Sequence, residues 1–190
     1  MKRVLLCVLI CLMLTGCEAV PFARELESTM LVQVLGVDWD RDGVVLTAAS
    51  DPGAGGGTAV LSASGSTLQE AKTALKGAGE EFVSLTHVTQ IVLGADSDSR
   101  AVLEAALEDP ALGQGATVWL TDGGTAKGLL ESVKEGAKRL SSVELNSGVE
   151  PVTVLRALME LEETGSVVVP ILTIKKNTLI WKGVRVLGGE

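Results

Sequence analysis

The feature that most constrains this fold is the order in which two hydrophobic periodicities follow one another along the chain. Short β-rich runs stand at both ends, and in the middle such runs alternate with segments of helical spacing. Met30 to Val37 (MLVQVLGV) is nearly all apolar, the pattern of a strand buried on both faces. Asp38 to Gly43 (DWDRDG) reads as a turn and Val44 to Ala49 as the returning strand, so a hairpin opens the domain. Asp51 to Gly57 (DPGAGGG) is a flexible loop by composition, and Thr58 to Ser64 is a short strand.

Ser66 begins a helix. Ser66 with Gln69 fits a capping box, and Thr67 with Glu70 is the competing register. Leu68, Ala71, Ala74, Leu75 and Ala78 give that helix one narrow apolar face, small enough to approach a sheet closely. A strand follows at Val88 to Leu93. The next helix is capped at Asp96 or Ser97, runs to Glu108 and is stopped by Asp109-Pro110. Thr117 to Thr121 is a strand, and from Thr125 the chain is helical, with Leu129, Leu130, Val133 and Ala137 on one side. Pro151 suits a first helical turn; Val152, Leu155, Leu158 and Met159 follow at helical spacing, and Gly165 ends that helix. Val167 to Ile174 and Leu179 to Leu187 close the chain as a hairpin around Lys175-Lys176-Asn177. Hairpins at the ends and alternation between them predict an α+β fold: one domain, with a mixed β-sheet and helices packed on it. Strand order is left open by this pattern.

Ahead of the domain stands a different kind of segment. Met1-Lys2-Arg3 is followed by an apolar stretch from Val4 to Leu14 and then Thr15-Gly16-Cys17. A basic start, a short apolar core and small residues before a cut site describe a secretory signal. These eleven apolar residues fall short of the roughly 20 a membrane-spanning helix needs. Leu14-Thr15-Gly16-Cys17 resembles the lipobox of bacterial lipoproteins. That resemblance implies cleavage after Gly16, a diacylglyceryl thioether on Cys17, and attachment to the outer face of a membrane. The expected division is a lipoprotein signal peptide at 1–16, a polar tether at 17–28 containing Pro21, and a domain at 29–190.

Export on those terms limits the chemistry that remains. Cys7 and Cys11 leave with the signal and Cys17 carries lipid, so no thiol remains for a disulfide, a metal site or a nucleophile. The 190-residue chain has a formal charge of −8, and loss of Lys2 and Arg3 takes the mature chain to about −10. Such a chain is repelled by phosphate backbones and anionic headgroups, so attachment must come from acyl chains. Scarce aromatics and the absence of Tyr argue against a stacking surface for nucleic acid.

Four constellations invite a chemical reading. Asp38, Asp40, Asp42 and Gly43 mimic the first half of an EF-hand, but the twelfth position is Ala49 where a bidentate Glu is required. Asp51 supplies a further ligand only if the hairpin folds back; a solvated turn is the preferred reading. Thr121-Asp122-Gly123-Gly124-Thr125 lies between a strand and a helix, where glycines cradle phosphate in some proteins. Asp122 repels an anion there, and a tight turn with a Thr N-cap is preferred. His87 is the single histidine, beside Thr86, and is read as a hydrogen-bonded structural residue. Lys175-Lys176 is a small basic spot, read as a solvated turn. No catalytic, metal or cofactor residues are expected.

In sequence order these pieces resemble the C-subunit lipoproteins of spore germinant receptors, the Ger(x)C family. Arg24-Glu25-Leu26 after the lipobox, Val34-Leu35-Gly36-Val37-Asp38, and Ser62-Ala63-Ser64-Gly65 with Thr67, Glu70 and Ala71 match its pattern. So do His87, Ile91-Val92-Leu93-Gly94, Asp109-Pro110 and Val169-Pro170-Ile171. Glu18-Ala19 departs from the Trp-Asp usual after the lipidated cysteine, and full subunits run roughly twice this length, so the resemblance covers their N-terminal domain. It implies a lipid-anchored, non-enzymatic subunit beside integral membrane subunits in the spore inner membrane, acting in nutrient-triggered germination. Two other expectations stand beside it. A solute-binding or scaffold lipoprotein needs a deep pocket with convergent polar groups, and an extracytoplasmic enzyme needs clustered ionisable groups in a cleft.

Overall fold

A computed structural model describes residues 29–50, 59–79, 82–133 and 135–188. The expected signal, Gly16, Cys17, the tether and the Gly53–Gly57 loop lie outside the described residues.

Nine strands and five helices occur among the described residues. The strands are β1 (Thr29–Leu31), β2 (Val34–Asp40), β3 (Gly43–Ser50), β4 (Ala59–Gly65), β5 (Phe82–Ser84), β6 (Gln90–Leu93), β7 (Thr117–Thr121), β8 (Ser166–Lys175) and β9 (Thr178–Gly188). The helices are α1 (Leu68–Lys76), α2 (Ser99–Glu108), α3 (Ala126–Ser132), α4 (Gly136–Ser147) and α5 (Val154–Thr164). Seven strands form one sheet in the order β4-β3-β2-β6-β7-β8-β9. Its centre, β2-β6-β7-β8, is parallel, and antiparallel hairpins finish both sides. The expected α+β architecture with a mixed sheet is what the chain adopts.

Helices cover both faces, which is why the central strands read as continuous apolar runs. On one face α1, α2 and α5 pack on Leu35, Val37, Leu46, Ile91, Leu93, Val118 and Leu120. On the other, α3 and α4 pack on Val34, Val92, Trp119 and Leu172. Alternate residues of β2 therefore serve two cores. Each fully buried Val or Leu stabilises the fold by about 1.5–3 kcal/mol relative to exposure.

Several local expectations need correction. Met30 to Val37 is not one strand: β1 pairs in parallel with β5 in a separate two-stranded sheet, and the chain changes sheets at Val32-Gln33. There Val32 N–H donates to the Ser84 carbonyl and Gln33 N–H to that of Ala49 (3.0 and 3.1 Å). Both sides of the switch are apolar, so the pattern hides it. β2 runs on to Asp40, leaving only Arg41-Asp42 as the turn. The helix expected from Thr125 is two helices, broken where Val133 is extended and Glu135 adopts a left-handed conformation (φ 56°). The break lets Leu130, Val133, Ala137 and Leu140 all reach the same core.

Pro151 lies before α5, whose N-cap is Thr153. Its buried face is Val154, Ala157, Leu158 and Leu161, while Leu155 and Met159 are exposed. Asp98, not Asp96 or Ser97, caps α2 by accepting from Ala101 N–H (3.1 Å). For α1 the Thr67/Glu70 register holds. Thr67 Oγ1 accepts from Glu70 N–H, and the Glu70 carboxylate reaches back to Ser66 N–H (3.0 Å) and its hydroxyl. Those bonds from Ser66 hold the Glu70 carboxyl below the ordinary glutamate range.

Candidate functional site

The motif residues that stand apart in the sequence converge at the carboxyl edge of the parallel strands, and their work there is structural. The Asp38 carboxylate, on β2, accepts from Ala126 N–H (2.7 Å) and Lys127 N–H (3.0 Å) in the first turn of α3. Free N–H groups and the helix dipole make that position favourable for a carboxylate. Thr125 caps the same helix by accepting from Gly128 N–H (3.0 Å), and Thr121 Oγ1 donates to the Gly124 carbonyl (3.1 Å). The Thr121–Thr125 segment is thus the tight turn with a Thr N-cap that was expected. The helix start above it holds the chain's own carboxylate.

Glycine appears where that arrangement leaves no room. A Cβ on Gly94 would run into Asp38 Oδ1 and come within 2.9 Å of Ser97 Oγ. One on Gly36 would lie 2.8 Å from Leu130 Cδ1 and 3.2 Å from the Ala126 methyl, wedging α3 off the sheet. Ser97 completes the node, its hydroxyl accepting from Trp39 N–H (3.0 Å) and donating to the Val37 carbonyl (3.2 Å). The half-EF-hand pattern is therefore split: Asp38 faces a helix start, and Asp42 sits in the two-residue turn.

Asp109-Pro110 has an equally internal role. Asp109 ends α2, accepts from Ala111 N–H (2.9 Å) and forms an ion pair with Lys72 of α1. Both side chains are about nine-tenths buried, at 8% and 11% exposed. His87 is exposed in the turn after Leu85, with Nδ1 3.1 Å from Thr86 Oγ1. Among the described residues no group of three or more His, Cys, Asp or Glu side chains is placed to hold a metal ion. No helix there is long and apolar enough to cross a membrane.

α4 is held on the sheet by Glu144, whose carboxylate accepts from buried Gln90 Nε2 and Thr117 Oγ1 (both 2.7 Å). Between α4 and the start of β9 lies an open groove of about 540 Å³, with Val143, Leu179, Ile180 and Trp181 as its apolar lining and Lys138 and Ser142 on the helix side. Beyond it the same face of β8–β9 is uncovered: Val168, Trp181, Val184 and Val186 are 47%, 40%, 53% and 58% exposed. Val168 lies opposite Val186 in the ladder, so these side chains form a strip rather than scattered points. The hairpin turn Lys176-Asn177 stands at one end of it, both residues at positive φ (51° and 59°), the geometry that suits strand twist, while Lys175 alternates onto the other face. A smaller notch of about 340 Å³ separates α2 from α5, with Leu155 and Met159 rimmed by Glu104, Glu108, Glu162 and Glu163.

The mis-phased face of α5 explains why Leu155 and Met159 were expected in the core. The β9 strip was not anticipated either: its valines alternate as buried ones do, and only strand order shows that no helix lies over them. A model described as the spore germination protein N-terminal domain matches residues 23–174. No curated protein matches the chain, and no solved structure does.

Proposed function

Because the chain belongs to the spore germination protein family, through the N-terminal domain of its germinant-receptor C subunits, we propose that it is a lipid-anchored subunit of a germinant receptor complex. The observation that carries this is the family match over residues 23–174, in agreement with the motif resemblance. A role in spore germination follows from the family itself. Lipid anchoring follows from Leu14-Thr15-Gly16-Cys17: Gly16 is the cleavage position, Cys17 the acceptor of the thioether, and 17–28 the tether of the folded domain.

The subunit works by contact and not by chemistry. The polar motif residues Asp38, Thr125, Ser97 and Asp109 spend their hydrogen bonds on the fold, while apolar surface is left on β8–β9. Holding the domain near the bilayer raises its effective concentration next to embedded partner subunits, so a weak interface is occupied. A solute-binding lipoprotein is less well supported, because the two apolar grooves are open, and the charged side chains of the polar cleft beside Trp39 (Arg41, Asp42, Asp96 and Asp98) are exposed rather than buried.

Deleting the gene in a spore-forming host is expected to slow nutrient-triggered germination and to leave vegetative growth intact. Labelling with a fatty-acid analogue is expected to mark the wild-type chain and not Cys17→Ala. Unchanged germination with every nutrient tested overturns the receptor assignment, and equal label in both chains overturns the anchor.

A further inference from the structure

Charge on this molecule is segregated. From Ser166 to Gly188 there is no acid, while Lys175, Lys176, Lys182 and Arg185 fall within that stretch, on a chain of net charge −8. Across the groove α4 adds Lys138 and Arg139 against Glu135 at its N-cap, and its Glu144 is turned inward to Gln90 and Thr117. Lys182 is held by Asp122 (2.6 Å), and Arg185 Nη1 reaches the Ala95 carbonyl (3.4 Å). Lys138, Lys175 and Lys176 have no ion pair among the described residues. Lys138 therefore lines the groove and Lys176 stands in the turn at the end of the strip, while Lys175, next to Ile174, alternates onto the other face of the sheet.

β9 is also a sheet edge. It pairs with β8 on one side and with no other strand among the described residues. A long edge strand with exposed apolar side chains is a template for an added strand, in which main-chain bonds give affinity and alternate side chains give specificity.

We propose that the β9 edge and its groove form a docking site for an extended, acidic segment of a partner protein. Its apolar side chains lie on Trp181, Val184 and Val186, and its carboxylates meet Lys138 in the groove and Lys176 at the turn. Two other occupants fit less well. A second copy pairing β9 to β9 sets two acid-free, basic strands against each other, and like charges in opposed strands destabilise the contact. A flat anionic bilayer does not fill a concave groove, and the Lys176-Asn177 turn lies at the opposite edge of the sheet from Val34, where the chain enters β2. This inference rests on the reading that the subunit acts by contact with partners, and it gives that contact its chemistry.

The test uses the full chain in neutral detergent and two labelled, end-blocked peptides, SEVEVEVES and its counterpart SKVKVKVKS, followed by fluorescence anisotropy. The acidic peptide is expected to bind at least about tenfold more tightly than the basic one, and to weaken as salt rises. Lys138→Glu with Lys176→Glu is expected to cost about tenfold or more in affinity. Val184→Ser with Val186→Ser is expected to weaken binding with every cation in place. All four positions are exposed or at a turn, and circular dichroism checks that the fold survives. Failure of the acidic peptide to bind, equal binding of both peptides, binding unchanged by the variants, or capture by anionic phosphatidylglycerol vesicles without competition from the peptide each overturns the proposal. None of these outcomes touches the germination phenotype of the deletion, so the two readings fail separately.

Discussion

Replacing Gly94 by Ala should be among the most damaging single-methyl changes available in this protein, and the reason lies on another strand. The new Cβ occupies the place of Asp38 Oδ1, so the carboxylate must leave Ala126 N–H and Lys127 N–H, which it now meets at 2.7 and 3.0 Å. Hydrogen bonds to a charged group are each worth about 1.5–3 kcal/mol net, and part of this is discounted because Asp38 is only half-buried. Losing both costs about 3 kcal/mol. Overpacking adds about 1–2 kcal/mol, since Ser97 Oγ lies 2.9 Å from the same Cβ. Gly94→Ala is therefore expected to destabilise by about 4–5 kcal/mol and Asp38→Ala by about 3 kcal/mol.

The two changes should not add. Once Asp38 is Ala, the methyl on Gly94 meets mainly the Ser97 hydroxyl, so the double variant should lie near 4 kcal/mol, leaving a coupling of about 3 kcal/mol. Urea unfolding of a fragment beginning at Glu18 measures all four corners of the cycle, from midpoints at constant m-value. Additivity within about 0.5 kcal/mol would refute the claim that the carboxylate is what excludes a side chain at Gly94.

Lys72→Ala strands the Asp109 carboxylate in a nine-tenths buried position and is expected to cost about 3–5 kcal/mol by the same denaturation assay; a loss below 1 kcal/mol means the pair is solvated. The Glu70 carboxyl titrates below the ordinary glutamate range, so its contribution is present above the unfolded-state value and is lost as pH falls through the folded one. Carbon-detected NMR titration reads this directly, and Glu70→Gln should flatten that part of the acid limb; a carboxyl titrating at or above the ordinary value contradicts the Ser66 bonds. Calcium at millimolar concentration should leave the melting temperature unchanged, because Asp38 is committed to α3; a micromolar isotherm abolished by Asp42→Ala says otherwise. The Glu18 fragment should melt in one cooperative step, and two separated transitions count against a single unit.

Local chemistry was legible where one residue type has one physical use. The Thr125 cap, the Lys176-Asn177 hairpin, the Gly165 helix end and the Asp109-Pro110 stop each depend on a neighbour within a few positions. What the sequence does not show is partnership across distance. Asp38 finds α3 some 88 residues later, and Lys72 finds Asp109 across 37. β1 and β5 escaped because three-residue strands carry too little periodicity to separate from their surroundings. The β9 edge was half visible: Lys175-Lys176 reads as a basic spot, but only strand order shows that Lys176 ends an uncovered strip and that Lys175 turns away from it.

The four parallel strands also give the domain a polarity in height. β2 starts at Val34 on one rim of the sheet, where the chain enters from β1 through Val32-Gln33. β8, ten residues long and so about 33 Å, finishes at Lys175 on the opposite rim, with the Lys176-Asn177 turn beyond it. Through the register Trp181 of β9 stands one residue beyond the level of Val37, roughly 13 Å up the strands from Val34. β9 then runs back from Thr178 at the far rim to Gly188 at the near one, so the edge that it offers spans the whole height of the sheet.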